Sequence, residues 1–276
     1  GIRLTNNGNL GIERIYRHIL QDSSNFQVLK AFFLLEAPFT YEHLAQTLDV
    51  SLPALRKKVA EINSVLQNNY RFKLKVTPIS IIGDERDIRF FFAQYFHEAY
   101  GYFKWPFTDS KEDIEGFVRF FLDMTGFPAS YANLFQIETL VAVNLHRFRI
   151  GATIQTASDS SNVLPLYDQL SEFKNQLDPL AKRLNIEINR DTLDQLFYSY
   201  TQKGIFFTVE EFLDARLIDK QVNRSYHAAR DVLDNLTREF GVHFSNTDEL
   251  VWHLHNTALL ERQEINSESI ISHNKS

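Results

Sequence analysis

The 276 residues contain no cysteine, a single methionine and two tryptophans. Without cysteine there are no disulfides, thiolate nucleophiles or cysteine-ligated zinc, which fits a reducing, cytoplasmic setting. Long apolar runs are missing too. Runs such as residues 90–93 and 140–143 fall far short of the ~20 residues that cross a bilayer. No apolar segment follows a basic start at the N-terminus, so no secretory signal is read there and no membrane association is expected. The chain also lacks a Gly-rich phosphate loop and an HExxH motif, and His253 and His255 are too close in sequence to share a helix face. Paired acids such as Glu210-Glu211 and Asp248-Glu249 stand at helix starts, where they suit the helix dipole. An enzyme is the least supported class, and neither a metal nor a cofactor is expected.

Phenylalanine is abundant instead, with 24 copies, enough to fill several helical cores. An apolar fraction of 44% and a charged fraction of 23% mark a globular chain, and its length favours two or three compact units. Charge is spread unevenly. The net is −6, yet residues 1–104 hold 13 Lys+Arg against 10 Asp+Glu, and the remainder 16 against 25. Residues 56–75 carry Arg56, Lys57, Lys58, Arg71, Lys73 and Lys75 against Glu61 alone. A compact cationic stretch on an acidic body attracts phosphate locally without general stickiness. A solvated charged helix face would look similar.

Apolar spacing predicts helices over residues 11–21, 25–36 and 41–48, and from a cap at Ser51 to Asn69. Thr40 and Ser51 are suited to N-caps, and Pro53 stands in a first turn, where a missing amide does no harm. In the last of these helices Leu55, Val59, Ile62 and Leu66 recur at steps of four, three and four, one apolar stripe. Short runs at 72–76 and 79–82, joined by Thr77-Pro78, read as a hairpin, followed by a helix over 86–100. Residues 102–111 read as a linker. Everything beyond is helical in pattern: 112–125, 131–148, 165–184, 190–202, 209–220, 222–240 and 246–263. A polar loop is expected at 156–162 and a polar tail from 266. The expected fold is mainly α: a winged helix-turn-helix domain at 11–101, then all-helical bundle domains at 111–207 and 208–276, the last incomplete. Residues 1–10 read as the end of an upstream hairpin or wing.

Helix, tight turn, capped helix and hairpin form the recipe for gripping duplex DNA, with the second helix in the major groove and the wing on the backbone. With the apolar stripe inward, the opposite side of the 51–69 helix presents Pro53, Lys57, Ala60 and Ser64. Lys57 is the expected base-edge contact. Arg56 and Lys58 flank it as phosphate contacts, small Ala54, Ala60 and Ser64 let the helix approach closely, and Ser51, the cap, is counted with Pro53 among the DNA-binding residues. Lys73 and Lys75, two residues apart, share one strand face and should touch backbone. Reading a palindrome needs a dimer, and residues 133–148 are one apolar helix that could supply the interface.

The segment LDVSLPALRKKVAEIN (residues 48–63) resembles the second helix-turn-helix of the Mga family of Gram-positive virulence regulators. IGDERDIRFF (82–91) is similar to the wing-to-helix junction there and in phosphotransferase-linked antiterminators. LVAVNLHRFRIG (140–151) and LVWHLHNTALLER (250–262) resemble parts of the phosphotransferase-regulation domains that follow in such proteins. The resemblance implies a DNA-binding activator of virulence or sugar-responsive genes, tuned by histidine phosphorylation from a phosphotransferase phosphocarrier protein. It implies His255 as the phosphoacceptor with Arg262 as partner two turns on, and His146, late in its helix beside Arg147, as a weaker second. His255 with Trp252 and His253 would equally suit a packed, partly polar helix interface. Family members carry another DNA-binding motif upstream and an EIIB-like domain downstream, so the chain reads as a fragment of a longer regulator. An RNA-binding antiterminator and a protein-interaction scaffold with a silent winged helix are the competing classes.

Overall fold

In the computed structural model the described residues are 12–34, 39–125, 131–154, 173–199, 206 and 208–264. They fall into two compact units, the first built from residues up to 108 together with 135–154, the second from 109–134 and the residues after 154.

The first unit starts with α1 (Ile12–Asp22) and α2 (Ser24–Leu34), followed by α3 (Tyr41–Thr47) and α4 (Leu52–Asn69). An antiparallel hairpin, β1 (Phe72–Val76) and β2 (Ile79–Gly83), leads into α5 (Glu85–Tyr100). The hairpin register pairs Phe72 with Gly83 and Val76 with Ile79. Strand alternation places Phe72 and Leu74 inward and Lys73 and Lys75 outward. The core is aromatic. Phe33 packs on Phe92 at 4.5 Å and on Phe96 at 5.2 Å, and Phe91 meets Phe92 edge-on at 5.1 Å.

At Gly83 the backbone takes φ +145°, and a Cβ there would collide with the Arg71 carbonyl and with Phe72. The base of the wing therefore closes so tightly that only glycine fits.

Helix α7 (Tyr131–Arg149) contributes most of its length to this same unit. Val143 is fully buried in the aromatic core, and Phe135 packs against His97 at 5.5 Å and Tyr102 at 4.7 Å. Phe135, Ile137, Val141, Ala142, Val143 and Leu145 are all buried. The expected dimer face at 133–148 is thus corrected. Those side chains fill the interior because this helix is apolar on more than one side, a mark of a buried helix.

In the second unit α6 (Lys111–Thr125) buries Ile114, Phe117, Val118 and Phe121. Phe121 lies parallel on Phe197 at 3.6 Å, and α6 is tied to α8 (Lys174–Leu184) through Asp113 and Arg183. After α9 (Arg190–Leu196) come α10 (Val209–Ile218), α11 (Lys220–Phe240) and α12 (Thr247–Glu264). Phe206, Phe212, Val222, Tyr226, Leu233, Val251 and Trp252 form their shared core. Asp219 separates α10 from α11, its carboxylate accepting from the Gln221 and Val222 amides, so the start expected at 222 moves to Lys220. The expected stretches 1–10, 156–162, 165–172, 200–202 and 266–276 lie outside the described residues. Among the described residues no helix is long and apolar enough to cross a membrane.

Candidate nucleic-acid interface

The α3–α4 pair is built by local chemistry. Thr40 Oγ1 accepts from the His43 amide at 3.2 Å and Ser51 Oγ from the Ala54 amide at 3.3 Å, so both helices begin where their caps stand. Between them Asp49 takes a left-handed φ of +52°, a conformation that Asp tolerates better than most residues. Amides of Asp49 and Val50 donate back to the Gln46 and Ala45 carbonyls, which closes the turn.

Helix α4 turns Leu55, Val59, Ile62 and Leu66 into the core. Ser51, Pro53, Ala54, Arg56, Lys57, Ala60 and Ser64 are exposed, and Lys58 is half-buried. The Lys57 side chain is 82% exposed, the property a groove-reading residue requires. Glu61 lies beneath the lysines, 4.0 Å from Lys57 Nζ and 3.3 Å from Lys58 Nζ. Such solvated pairs contribute little and exchange readily for a phosphate. Lys73 and Lys75 line the outer face of β1. The eight residues singled out from sequence therefore sit on two adjoining elements, α4 and the strand that follows it.

Two features escaped the sequence reading. Asn63 clamps α4 to the wing: its amide nitrogen donates to the Leu74 carbonyl at 2.9 Å, and its oxygen accepts from the Leu74 amide at 2.7 Å. A polar residue beside the apolar stripe was the available signal. Arg71, counted among the cations facing phosphate, is engaged within the domain. Its backbone amide and guanidinium donate to Asp87 at 2.9–3.0 Å, and Nη1 lies 3.1 Å from Asp84.

Partial burial pushes the Asp87 carboxyl up, but hydrogen bonds from the Arg71 side chain and backbone, with the guanidinium charge, hold it below its ordinary 3.8. A carboxyl depressed in the fold stabilises it above its unfolded value, and that contribution disappears as pH falls through the folded value. Asp87→Asn should therefore flatten the stability profile below about pH 4 relative to the unmodified chain. Acid titration by circular dichroism checks this, and parallel profiles would remove the latch from the account.

The two histidines considered as phosphoacceptors, His146 and His255, are both buried. His255 is 4% exposed, with Nδ1 2.7 Å from Ser225 Oγ and its ring against Phe212 at 4.8 Å and Phe206 at 5.6 Å. Arg262 lies on the same helix, but its side chain is outside the described residues. His146 packs inside the first unit, its Nε2 2.6 Å from the Phe33 carbonyl oxygen and its ring 4.7 Å from the Phe33 ring. That ring nitrogen of His146 is engaged by main chain in this conformation.

A family model for the Mga helix-turn-helix domain matches residues 8–96. A second, for the M protein trans-acting positive regulator (MGA) PRD domain, matches residues 110–276. The chain is also similar to a "Putative trans-acting regulator" of Streptococcus pneumoniae serotype 4 (strain ATCC BAA-334 / TIGR4). The two are 33% identical over 279 residues, which cover 98% of this chain and 55% of the relative. The chain thus spans about half the length of the curated relative it matches.

Proposed function

Because the chain belongs to the Mga family, matching both its helix-turn-helix and its PRD models, we propose that it is a cytoplasmic transcription regulator reading duplex promoter DNA with α4 and the wing. The observation that carries the reading is the outward cationic face of α4, Arg56, Lys57 and Lys58, continued by Lys73 and Lys75 on the hairpin clamped to it. Lys57 reaches base edges; Arg56 and Lys58 hold phosphates on the groove walls; the wing lysines add sequence-independent grip.

Lys57→Ala should weaken a preferred duplex by about 1–3 kcal/mol and random duplex less, whereas Lys73→Ala or Lys75→Ala should each reduce the salt slope by about 1 on every duplex. Fluorescence anisotropy across a salt series measures both. Equal losses for Lys57→Ala on the two duplexes would sink the base-edge role. Preference for an RNA hairpin would favour the antiterminator class, and no salt-dependent binding the scaffold class.

Palindrome reading calls for two copies, with half-sites matched by protein symmetry. With α7 buried, the proposed dimer contact moves to α11, where Val232, Leu236 and Phe240 form an exposed apolar stripe at i, i+4, i+8, 49%, 38% and 70% exposed. Leu236→Lys should shift a dimer to monomer in sedimentation velocity; an unchanged sedimentation coefficient would remove this face.

Phosphotransferase control at His255 is the finer proposal, supported by the family. Its enclosure by Ser225, Phe206 and Phe212 means a phosphocarrier could act only when α11 and α12 part. Phosphate incorporation under a reconstituted relay should be lost in His255→Ala. Retained labelling would place the acceptor elsewhere.

A further inference from the structure

We propose that Arg147, near the C-terminal end of α7, is a positioning residue for the wing, fixing the base of the β1–β2 hairpin from inside the domain. Its consequence for binding rests on the DNA-reading function above; its structural half does not.

Both ends of the hairpin terminate at the first turn of α5. Strand β1 begins next to Arg71 and β2 ends at Gly83, next to Asp84, whose amide donates to the Arg71 carbonyl at 2.8 Å. On the outer side Arg71 is latched to Asp84 and Asp87. On the inner side, in the same turn, Glu85 receives two guanidinium groups. Arg147 donates through Nε to Oε1 at 2.9 Å and through Nη2 to Oε2 at 2.7 Å, a bidentate fork. Arg89 donates to Oε1 at 3.0 Å and reaches the Ala152 carbonyl with Nη2 at 2.7 Å.

This cluster is buried: the side chains of Arg89, Arg147 and Glu85 are 0%, 6% and 13% exposed. A planar fork in that setting fixes the orientation of the carboxylate it grips, and so of the turn that carries it. Asp84, Glu85 and Asp87 move together. A shift at Glu85 is passed to the two carboxylates that hold Arg71, and through Arg71 to the strand presenting Lys73 and Lys75. The close contact of Gly83 with Arg71 and Phe72 leaves little slack to absorb it. Arg147 thus acts at a distance from any ligand, through α5, on wing lysines it never touches.

Arg147→Gln is the informative variant because Arg89 still holds Glu85. In the full chain, amide hydrogen exchange of β1 and β2 should speed up about tenfold, while α3 amides around Leu44 keep their rates. Arg147→Lys, which keeps charge but not the fork, should fall between, and it serves as the deciding variant if Arg147→Gln does not fold. In duplex binding, the salt slope lost on Lys73→Ala should be smaller in the Arg147→Gln background than alone, a non-additive cycle. Wing amides that keep their rates, or amides that all speed up together, would overturn the proposal by making Arg147 a plain core contact. An additive cycle would overturn its effect on binding. Selective wing loosening in a chain that binds no duplex at all would sink the DNA reading and leave the positioning role standing.

Discussion

Glu85→Gln is expected to cost the first unit about 3–5 kcal/mol, because removing one partner from a buried ion cluster leaves desolvated charge behind. The substitution keeps shape and volume, so the loss comes from charge and from the exchange of an acceptor oxygen for an amide donor. Glu85 accepts from Arg147 and Arg89 at 2.7–3.0 Å, and its side chain is only 13% exposed. A glutamine there offers amide hydrogens to donors and sets two guanidinium groups against each other. Glu61→Gln is the matching control. Its carboxylate lies 3.3–4.0 Å from Lys58 and Lys57 but is 50% exposed, so the loss should stay within about 0.5 kcal/mol. Urea unfolding measures both, as a shift of midpoint at unchanged slope. Equal shifts for the two variants would contradict the burial argument.

A fragment ending at residue 108 should fail to fold cooperatively, although it contains every element of the winged helix-turn-helix. Removing α7 takes Val143 out of the aromatic core, Phe135 off His97 and Tyr102, and Arg147 off Glu85. It also takes His146 off Phe33, whose side chain is only 1% exposed in the intact unit. Each large apolar side chain so uncovered or lost is worth roughly 1.5–3 kcal/mol, and a whole domain retains only about 5–15. The fragment should show a broad urea transition and rapid proteolysis within the 12–108 span, where the full chain is protected. A sharp, two-state transition in the fragment would mean α7 only rests on the unit.

The α4 stripe, the two caps, the two strands of the hairpin and the outward lysines were legible because each depends on local spacing: 3.6 for the helix, two for the strand, Ser or Thr before a first turn. The domain division expected at 102–111 was argued from composition, and composition says nothing of where a later helix packs. Segment 135–154 returns to the first unit because its apolar sides and two of its basic residues find partners some 60 to 110 positions upstream. Long-range pairing of that kind leaves no period to read. No local spacing sets Arg89 apart, and only the fold reveals that Glu85 and the Ala152 carbonyl hold it. Nothing in the local pattern of Asp84, Glu85 and Asp87 names their partners; Asp84 caps α5, and the three together grip arginines on two sides of the same turn. The Asn63 clamp was missed for a related reason, since its partner is main chain and carries no sequence identity.

Asn63 also bears on how a ligand would be met. Two opposed hydrogen bonds to the backbone of one residue, Leu74, hold α4 and the hairpin as a single rigid surface before any encounter. Cations on the two elements then arrive at fixed separation, and little conformational entropy remains to be surrendered on docking. The heat-capacity change of association would reflect only the surface covered, without the excess that accompanies folding on contact.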